Sequence, residues 1–463
     1  MNDVKTEAMN AVDAAWYHME HPTNLMMVTG FMYFNDPVTR DDILTVLRER
    51  LAPFERFHQK VSNHSIRGLQ WEMDNTFKIE DHLWEETLDG EGTQKQLQER
   101  VGELMSLPLD FNKPLWCGHL IHNVLGGNVF FMRIHHCIAD GIAMIGVLLS
   151  MTGSNAEESL NLGPLDEKEH HKLNPSGQII KAAEVAVQNA GKATTKLFDT
   201  ISKPSKLLDM AKLGAAGAMT TAKLVFKSAD PQTVFRGKLG VPKTAVWSQA
   251  VSLDDVKAIK NITKSTVNDV LLTAMAGGLR RYILHHGQRA DGITFRAAVP
   301  VNLRDPSRFK DLGNKFGLVF LDLPVGIDDS LDRLFQLKKN MDQIKNSPEA
   351  VIAFGILRAM GMTPAEVQKL ISNLFGAKST CVMTNVPGPK EKLFFAGKQL
   401  DNMMFWVPRS GGLGMGISIL SYAGEVRLGV ATDTGLVPDP EIIIKGFHEE
   451  LELMMELVRQ VED

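Results

Sequence analysis

Two adjacent histidines, followed by an aspartate and a glycine, form the stretch of this sequence best suited to chemistry. His135 and His136 end an apolar run over residues 129–134, and Asp140-Gly141 follow after three intervening residues. A neutral imidazole can take a proton from an attacking alcohol near neutral pH. Because successive side chains of a strand point to opposite sides, only one of the two histidines can face a given cleft. The stretch therefore indicates a general base at the end of a strand.

The elements around this stretch would hold it rigidly. Residues 118–122 and 128–134 are β-prone runs separated by Gly126-Gly127, which predicts a hairpin. An apolar helix is predicted from Ile142 to Met151, and Asp140 at its start can cap backbone N–H groups and form a salt bridge. A strand-to-helix junction at a sheet edge is a place where a side chain can be presented in one orientation.

Each candidate also has a purely structural interpretation. A buried histidine is more often a hydrogen-bonded core residue than a catalyst. The pairs His170-His171 and His285-His286 lack an aspartate at the same spacing, and we interpret them as surface pairs. Cys137 could be a thiol nucleophile, but the sequence around it does not resemble that of a cysteine enzyme.

Composition limits the class of protein. With 463 residues, 44% of them hydrophobic, the chain can form two or three domains. A net charge of -5 gives no basic excess of the kind that nucleic-acid binding requires. Three cysteines without CxxC spacing argue against a disulfide framework and a structural metal site. The chain shows no secretory signal and no apolar stretch of ~18 residues, so we expect a cytoplasmic location.

The chain is predicted to consist of two α/β halves and a connector. Helices are expected over 8–21 and 41–51, and a strand over 29–34. In the second half, strands are expected over 294–299, 317–323, 414–420 and 426–432, with a final helix that begins at Asp439-Pro440. Its apolar face would contain Ile443, Phe447, Leu451, Met454 and Val458. We predict domains at 1–165 and 236–463, joined by a helical connector at 166–235.

The predicted connector is rich in alanine and lysine. Residues 178–227 carry eight lysines against three acidic residues. The lysines can form a solvated helix face that bridges the two halves. They can also attract the segment to an anionic membrane or lipid-droplet surface, as in basic amphipathic helices.

Several motifs in order resemble those of a known family. The pattern H-H-x-x-x-D-G, formed by His135, His136, Asp140 and Gly141, is the signature of the coenzyme A-dependent acyltransferase superfamily, which includes chloramphenicol acetyltransferase-like enzymes and peptide-synthetase condensation domains. Over almost its whole length the chain resembles the bacterial wax ester synthase/diacylglycerol acyltransferase family. The further matches are Trp71, Asp74, Phe77, Ile79 and His82; Pro114-Leu115-Trp116; residues 266–271; residues 300–304; Gly313-Asn314; and residues 384–389.

This resemblance implies a fold and an activity. The fold would be α/β (α+β), with two chloramphenicol acetyltransferase-like domains, mixed sheets and a solvent tunnel between them. The activity would be esterification of a long-chain alcohol or diacylglycerol with fatty acyl-coenzyme A, which is a substrate, so that no cofactor is required. His136 would be the general base beside His135. Asp140 would hold the loop through an arginine, for which Arg304 is the candidate.

Other motif residues have two interpretations or a structural one. Asn268 could stabilise the oxyanion, or it could belong to a helix cap, since Thr266 and Asp269 have capping-box spacing. Pro114, Trp116 and Gly141 are expected to be structural. Many family members have a histidine at the position of Met27. This difference leaves the His136 motif intact, but it prevents a direct transfer of substrate preference.

Two other functions remain open from the sequence. A stand-alone condensation-type enzyme would share the histidine motif and take its acyl group from a carrier-protein thioester. A non-catalytic lipid-droplet or membrane-binding protein could use a degenerate acyltransferase fold, although the intact His136 and Asp140 argue against it.

Overall fold

The computed structural model describes residues 6–64, 68–161, 227–304, 312–345, 347 and 349–462. Most of the predicted connector, with all its lysines before Lys227, lies outside these ranges, as does the His170-His171 pair. The described end of the connector, residues 227–235, consists of coil and a turn. The predicted domain boundaries stay a prediction.

The first half of the chain forms a five-stranded and a three-stranded sheet. The five-stranded sheet has the order β15-β2-β7-β6-β5, in which β15 (Asn402–Trp406) comes from the second half of the chain, and the smaller sheet has the order β1-β4-β3. The elements in chain order are β1 (Thr6–Ala8), α1 (Ala11–His18), β2 (Met27–Phe34), α2 (Arg40–Val46), β3 (Gln59–His64), β4 (Gly68–Met73), β5 (Leu83–Thr87), α3 (Gln94–Ser106), β6 (Trp116–Val124), β7 (Gly127–His135), α4 (Gly141–Ser150) and α5 (Ala156–Leu160).

Local signals explain most of these elements. The predicted hairpin is confirmed, since β6 and β7 pair antiparallel around a turn in which Gly126 has a positive φ of 86°. The first helix is shorter than predicted because the Asn10 side chain caps its start, accepting hydrogen bonds from the amides of Val12 and Asp13. Helix α2 is capped by Thr39 and continues into a π-helical turn, Leu47–Leu51.

The second half forms a larger mixed sheet covered by helices. The strand order is β11-β10-β12-β16-β17-β8, with β9 beside β17. Strand β12 is parallel to β10 and β16, and the remaining pairs are antiparallel. The elements are β8 (Lys243–Trp247), β9 (Val251–Ser252), α6 (Leu253–Ile262), α7 (Val267–His285), β10 (Phe295–Asn302), β11 (Phe316–Leu323), α8 (Ser330–Lys345), α9 (Glu349–Met360), α10 (Ala365–Gly376), β12 (Cys381–Pro387), β13 (Phe394–Phe395), β14 (Lys398–Gln399), β15 (Asn402–Trp406), β16 (Met415–Tyr422), β17 (Glu425–Asp433) and α11 (Glu441–Glu462).

The final helix and the four predicted strands of this half are confirmed. All five predicted apolar-face residues of α11, from Ile443 to Val458, are buried in the hydrophobic core of the second half of the chain. Helix α11 packs on α7 where two glycines meet. A Cβ at Gly446 would lie 2.8 Å from the Cα of Gly278, so the helices can approach closely only without side chains there.

One strand joins the two halves. Strand β15 comes from the second half of the chain, yet it pairs antiparallel with β2 in the first sheet, with Trp406 opposite Thr29. The predicted fold class is confirmed, with mixed α/β architecture and mixed sheets. Within the described residues, no helix is long and apolar enough to cross a membrane.

Candidate active site

The loop between β7 and α4 is held by Asp140. Its Oδ1 accepts a hydrogen bond from the amide of Ala143 (2.9 Å), which caps α4. Its Oδ2 accepts from Arg304 Nη2 (2.7 Å) and from the amide of Lys315 (2.8 Å). The Arg304 guanidinium also donates to the carbonyl of Gly313 (2.7 Å). Asp140 and Arg304 are both buried, so the structure contains the ion pair that the resemblance implies.

His136 is buried at the start of this loop, with an aromatic residue against its ring. The imidazole stacks on Trp16, with ring centroids 4.1 Å apart and planes inclined by 20°. Its backbone amide donates to the carbonyl of Met26 (2.7 Å), and its carbonyl accepts from the Asn314 side chain (2.8 Å). Burial lowers the pKa of His136 to about 4, and the negative charge of Asp140 opposes this shift. The ring is therefore neutral near physiological pH and able to accept a proton.

His135 lies on the other side of the strand end. Its Nδ1 accepts a hydrogen bond from the amide of Cys137 (3.1 Å), and its Nε2 lies 3.4 Å from a carboxylate oxygen of Glu20. This geometry places the ring proton on Nε2. His136 lines an apolar cavity between the five-stranded sheet and the larger mixed sheet, and His135 does not, as expected for adjacent residues of a strand.

The surroundings of Cys137 and of the His285-His286 pair fit the structural interpretation of these residues. The Cys137 side chain is fully buried, and burial raises the pKa of its thiol well above the usual value. His285 and His286 are exposed at the end of α7, as predicted. No group of three or more histidine, cysteine, aspartate or glutamate side chains in the described ranges could hold a metal ion.

A cavity of about 550 Å³ lies between the five-stranded sheet and the larger mixed sheet, and His136 is one of the residues that line it. Side chains from β2, β7 and α4 form one wall, and side chains from β10, β11, α9, α10 and β12 form the other. Most of the lining is apolar. The polar groups that reach it include His136, Asn268 and Asn385.

Asn268 lies in the first turn of α7, but it does not form the cap. Thr266 and Asp269 form the capping box, with the Thr266 amide 2.9 Å from Asp269 Oδ2 and the Asp269 amide 3.1 Å from Thr266 Oγ1. The Asn268 Oδ1 accepts a hydrogen bond from Asn385 Nδ2 (2.7 Å). With its oxygen engaged, Asn268 presents an amide nitrogen that can donate into the cavity.

Three other motif residues have positions that fit structural roles. Pro114 and Trp116 are buried away from the cavity, and Trp116 Nε1 donates to the carbonyl of Phe57 (2.8 Å). Gly141 begins α4 at the cavity wall. Met27, at the position of the family histidine, is buried in β2 opposite His135.

Sequence reasoning missed the residues that pack around His136 but lie far from it in the sequence. Trp16 and Asp13 come from α1, and Asn314 was part of a matched motif without an assigned role. Asn314 Nδ2 donates to Asp13 Oδ1 (2.8 Å) and to the carbonyl of His136. Burial raises the pKa of Asp13 to about 6, against the hydrogen bonds from Asn314. These contacts join distant parts of the chain, so local spacing carries no signal for them.

Comparisons with known proteins identify the family of this chain. The chain matches the wax ester synthase/diacylglycerol acyltransferase catalytic domain over residues 9–271 and the WS/DGAT C-terminal domain over residues 312–455. It is 26% identical over 478 residues to wax ester synthase/diacylglycerol acyltransferase 7 of Arabidopsis thaliana, covering 91% of this chain and 92% of that protein.

Solved structures show the same fold. The wax ester synthase/diacylglycerol acyltransferase from Marinobacter aquaeolei VT8 superposes with a TM-score of 0.68 at 20% identity, covering 97% of this chain and 98% of that chain. A variant of the starter condensation domain of rhizomide synthetase, solved with C8-CoA and Leu-SNAC, gives a TM-score of 0.57 at 12% identity, covering 98% of this chain and 94% of that chain. Because the catalytic-domain match alone spans more than half of its residues, the chain belongs to the wax ester synthase/diacylglycerol acyltransferase family.

Proposed function

We propose that this acyltransferase moves a long-chain acyl group from acyl-coenzyme A to the hydroxyl of a fatty alcohol or a diacylglycerol. The products are a wax ester or a triacylglycerol, and free coenzyme A. The observation that carries the proposal is the position of His136, which is buried, neutral and at the wall of an apolar cavity between the two sheets.

The reaction is a direct acyl transfer. His136 takes the proton from the acceptor hydroxyl as its oxygen attacks the thioester carbonyl. Because Nδ1 of the ring is buried, we assign this step to Nε2. A tetrahedral intermediate forms, and its collapse breaks the carbon–sulfur bond and releases coenzyme A thiolate. The protonated His136 then returns its proton to that sulfur.

Asn268 is proposed to stabilise the negative charge of the intermediate. Its amide oxygen is engaged by Asn385, so its amide nitrogen is the donor available to an oxyanion. A preorganised donor in a water-poor site costs no rearrangement during the reaction. Asp140 and Arg304 are proposed to hold the loop rather than to bind substrate, because both carboxylate oxygens of Asp140 already accept hydrogen bonds from Arg304 and from backbone amides.

The cavity supports a lipid substrate. Ligand cavities commonly have volumes of about 300–1,000 Å³ and mostly apolar walls with a few polar groups. The cavity of about 550 Å³ fits this description, and methionines such as Met32, Met144 and Met404 line it. Methionine side chains are flexible and polarizable, which suits alkyl chains of variable shape.

We also propose peripheral contact with a membrane or lipid-droplet surface. Val367, Leu370 and Leu374 are exposed on one face of α10, where Leu370 has 70% of its surface accessible. Ile371 and Phe375, on the adjacent face of the same helix, line the cavity. An apolar face next to the cavity wall would bring the opening close to lipid substrates.

Product analysis with the purified protein tests the proposed reaction. Long-chain acyl-coenzyme A is supplied alone, with a fatty alcohol, or with diacylglycerol, and both free thiol and ester are measured. We expect thiol release to equal ester formation and to require an acceptor hydroxyl. Ester formation only from a carrier-protein thioester would replace this proposal with the condensation-type function. Lipid binding without any ester would support the non-catalytic function.

A further inference from the structure

Helix α1 carries no residue of the H-H-x-x-x-D-G motif, yet two of its side chains are connected to His136. Trp16 contacts the imidazole ring directly, and Asp13 reaches the backbone of His136 through Asn314. Asp13 and Trp16 are three positions apart on the helix, so both can lie on the same side of it.

The ring contact is an extended stack. Trp16 and the His136 imidazole are nearly parallel, and Phe316 adds a second aromatic contact to each of them, at 5.9 Å from Trp16 and 5.6 Å from His136. Trp16 is buried and lines the cavity next to His136. The indole therefore covers one face of the imidazole and excludes water from it.

The backbone contact is a buried polar bridge. Asp13 Oδ1 accepts hydrogen bonds from both the backbone amide (3.1 Å) and the side-chain nitrogen (2.8 Å) of Asn314. The same side-chain nitrogen donates to the carbonyl of His136 at 2.8 Å. Asp13 and Asn314 are both almost fully buried. A buried, hydrogen-bonded bridge of this kind restricts the movement of the His136 backbone.

We propose that α1 positions the catalytic base: Trp16 holds the His136 ring, and Asp13, through Asn314, holds its carbonyl group. Trp16 and Asp13 are positioning residues, because they act through His136. The inference rests on the proposed role of His136 as general base.

A second stacked tryptophan–histidine pair offers a matched control. Trp116 stacks on His82 with centroids 4.7 Å apart and planes inclined by 23°, close to the geometry of the Trp16–His136 pair. Trp116 is buried away from the cavity. Loss of this stack should lower the melting temperature without changing the pH dependence of the reaction.

The test compares Trp16→Leu, Trp16→Phe and Trp116→Leu in kcat, KM and the pH profile of kcat/KM. The charges of Asp140 and His135 and the Asn314 amide influence the pKa of His136. Asp13, whose pKa burial raises to about 6, reaches the His136 carbonyl through Asn314. None of these groups is changed in the variants. In Trp16→Leu, water reaches the ring, so the acid midpoint should rise from about 4 toward the usual 6.5. We expect kcat to fall about 10–10²-fold, because positioning errors reduce the rate of the chemical step, with KM little changed.

Trp16→Phe should keep a flat aromatic face on the imidazole and retain most of the activity and the low midpoint. Equal impairment of the Leu and Phe variants would overturn the inference, and so would a folded Trp16→Leu with unchanged kcat and midpoint. If a folded His136→Ala remains active, the assignment of His136 as the base fails, and this inference fails with it. If His136→Ala is inactive while Trp16→Leu behaves as wild type, only the present inference fails.

A fluorescence titration decides the question even if Trp16→Leu does not fold. A protonated imidazole quenches an indole stacked on it, and Trp16 is one of six tryptophans. The wild-type signal minus the Trp16→Phe signal should fall as His136 becomes protonated, and His136→Gln should abolish that change. A difference signal that does not respond to pH, or that persists in His136→Gln, would show that the stack does not exist in solution.

Discussion

Asp140 and Arg304 form a buried ion pair whose loss has a calculable effect. Their closest atoms are 2.7 Å apart, and both side chains are almost fully buried. Removing one partner of a buried pair typically costs about 3–5 kcal/mol, because the other charge loses its main compensation. Asp140 also caps α4, which adds about 0.5–2 kcal/mol.

We therefore predict that Asp140→Ala lowers the melting temperature and the activity together. Thermal unfolding and turnover are measured on Asp140→Ala, Arg304→Ala and the double variant. The double variant should be less destabilised than the sum of the single ones, since it leaves no unpaired charge. An inactive Asp140→Ala with wild-type melting would instead show a direct chemical role for Asp140.

The low pKa of His136 predicts an unusual pH profile. The base works only when neutral, and burial lowers its pKa to about 4 from the usual 6.5. Activity should therefore persist as the pH falls below 6.5 and should be lost only near 4. The measurement is kcat/KM against pH, with enzyme returned to neutral pH as a control for irreversible unfolding. Burial raises the pKa of Asp13 to about 6, so an acid midpoint near 6.5 would contradict a buried, desolvated base only if it persists in Asp13→Asn.

At the scale of elements, the start of α7 shows which residues cap the helix and which residue faces the cavity, a choice that the sequence left open. Thr266 and Asp269 cap the helix, whereas Asn268 faces the cavity. We predict that Asn268→Ala lowers kcat by about 10²–10³-fold with little change in melting, as for loss of an oxyanion donor. Thr266→Ala should have the opposite pattern, with about 0.5–2 kcal/mol lost in stability and kcat retained.

Both variants are compared by thermal unfolding and by steady-state kinetics. If Asn268→Ala is as active as wild type, the oxyanion is stabilised by another group. If Asn268→Ala loses stability as Thr266→Ala does, the asparagine belongs to the helix start after all.

Elements with local signals were predictable, and contacts between distant elements were not. The β6–β7 hairpin follows from Gly126-Gly127, and α11 follows from its apolar spacing and from Asp439-Pro440. Strand β15 is too short to show which sheet it joins, and its pairing with β2 depends on tertiary contacts. The stack of Trp16 on His136 links residues far apart in sequence, so no local pattern could reveal it. The pairing of Arg304 with Asp140, by contrast, was predicted from the family resemblance.

At the scale of the whole molecule, the exposed face of α10 predicts how the protein meets lipid. We expect the combined change Val367→Ser, Leu370→Ser and Leu374→Ser to weaken binding to lipid vesicles, measured by flotation. A matched control replaces three exposed apolar residues of other elements, Leu107, Ile262 and Leu284, with serine. Equal loss in both triple variants, or no loss in the α10 variant, would exclude this face as the contact surface.

The lysines between Lys181 and Lys227 allow a separate prediction from the sequence. Attraction to an anionic surface contributes about 1 kcal/mol per basic residue and is screened by salt. Binding to anionic vesicles should weaken as salt rises and when Lys192, Lys196, Lys203 and Lys206 are neutralised together. If neither higher salt nor neutralisation of the four lysines weakens binding, the segment only connects the domains.

The central claim is that His136 is the base for acyl transfer from acyl-coenzyme A to a hydroxyl. The most direct test measures coenzyme A thiol release from a long-chain acyl-coenzyme A, with and without a fatty alcohol, for wild type and folded His136→Ala. General-base catalysis typically contributes about 10²–10⁴-fold, so we predict that alcohol-dependent thiol release falls by at least that lower factor in the variant. A folded His136→Ala that keeps more than about a tenth of the wild-type rate would contradict the assignment.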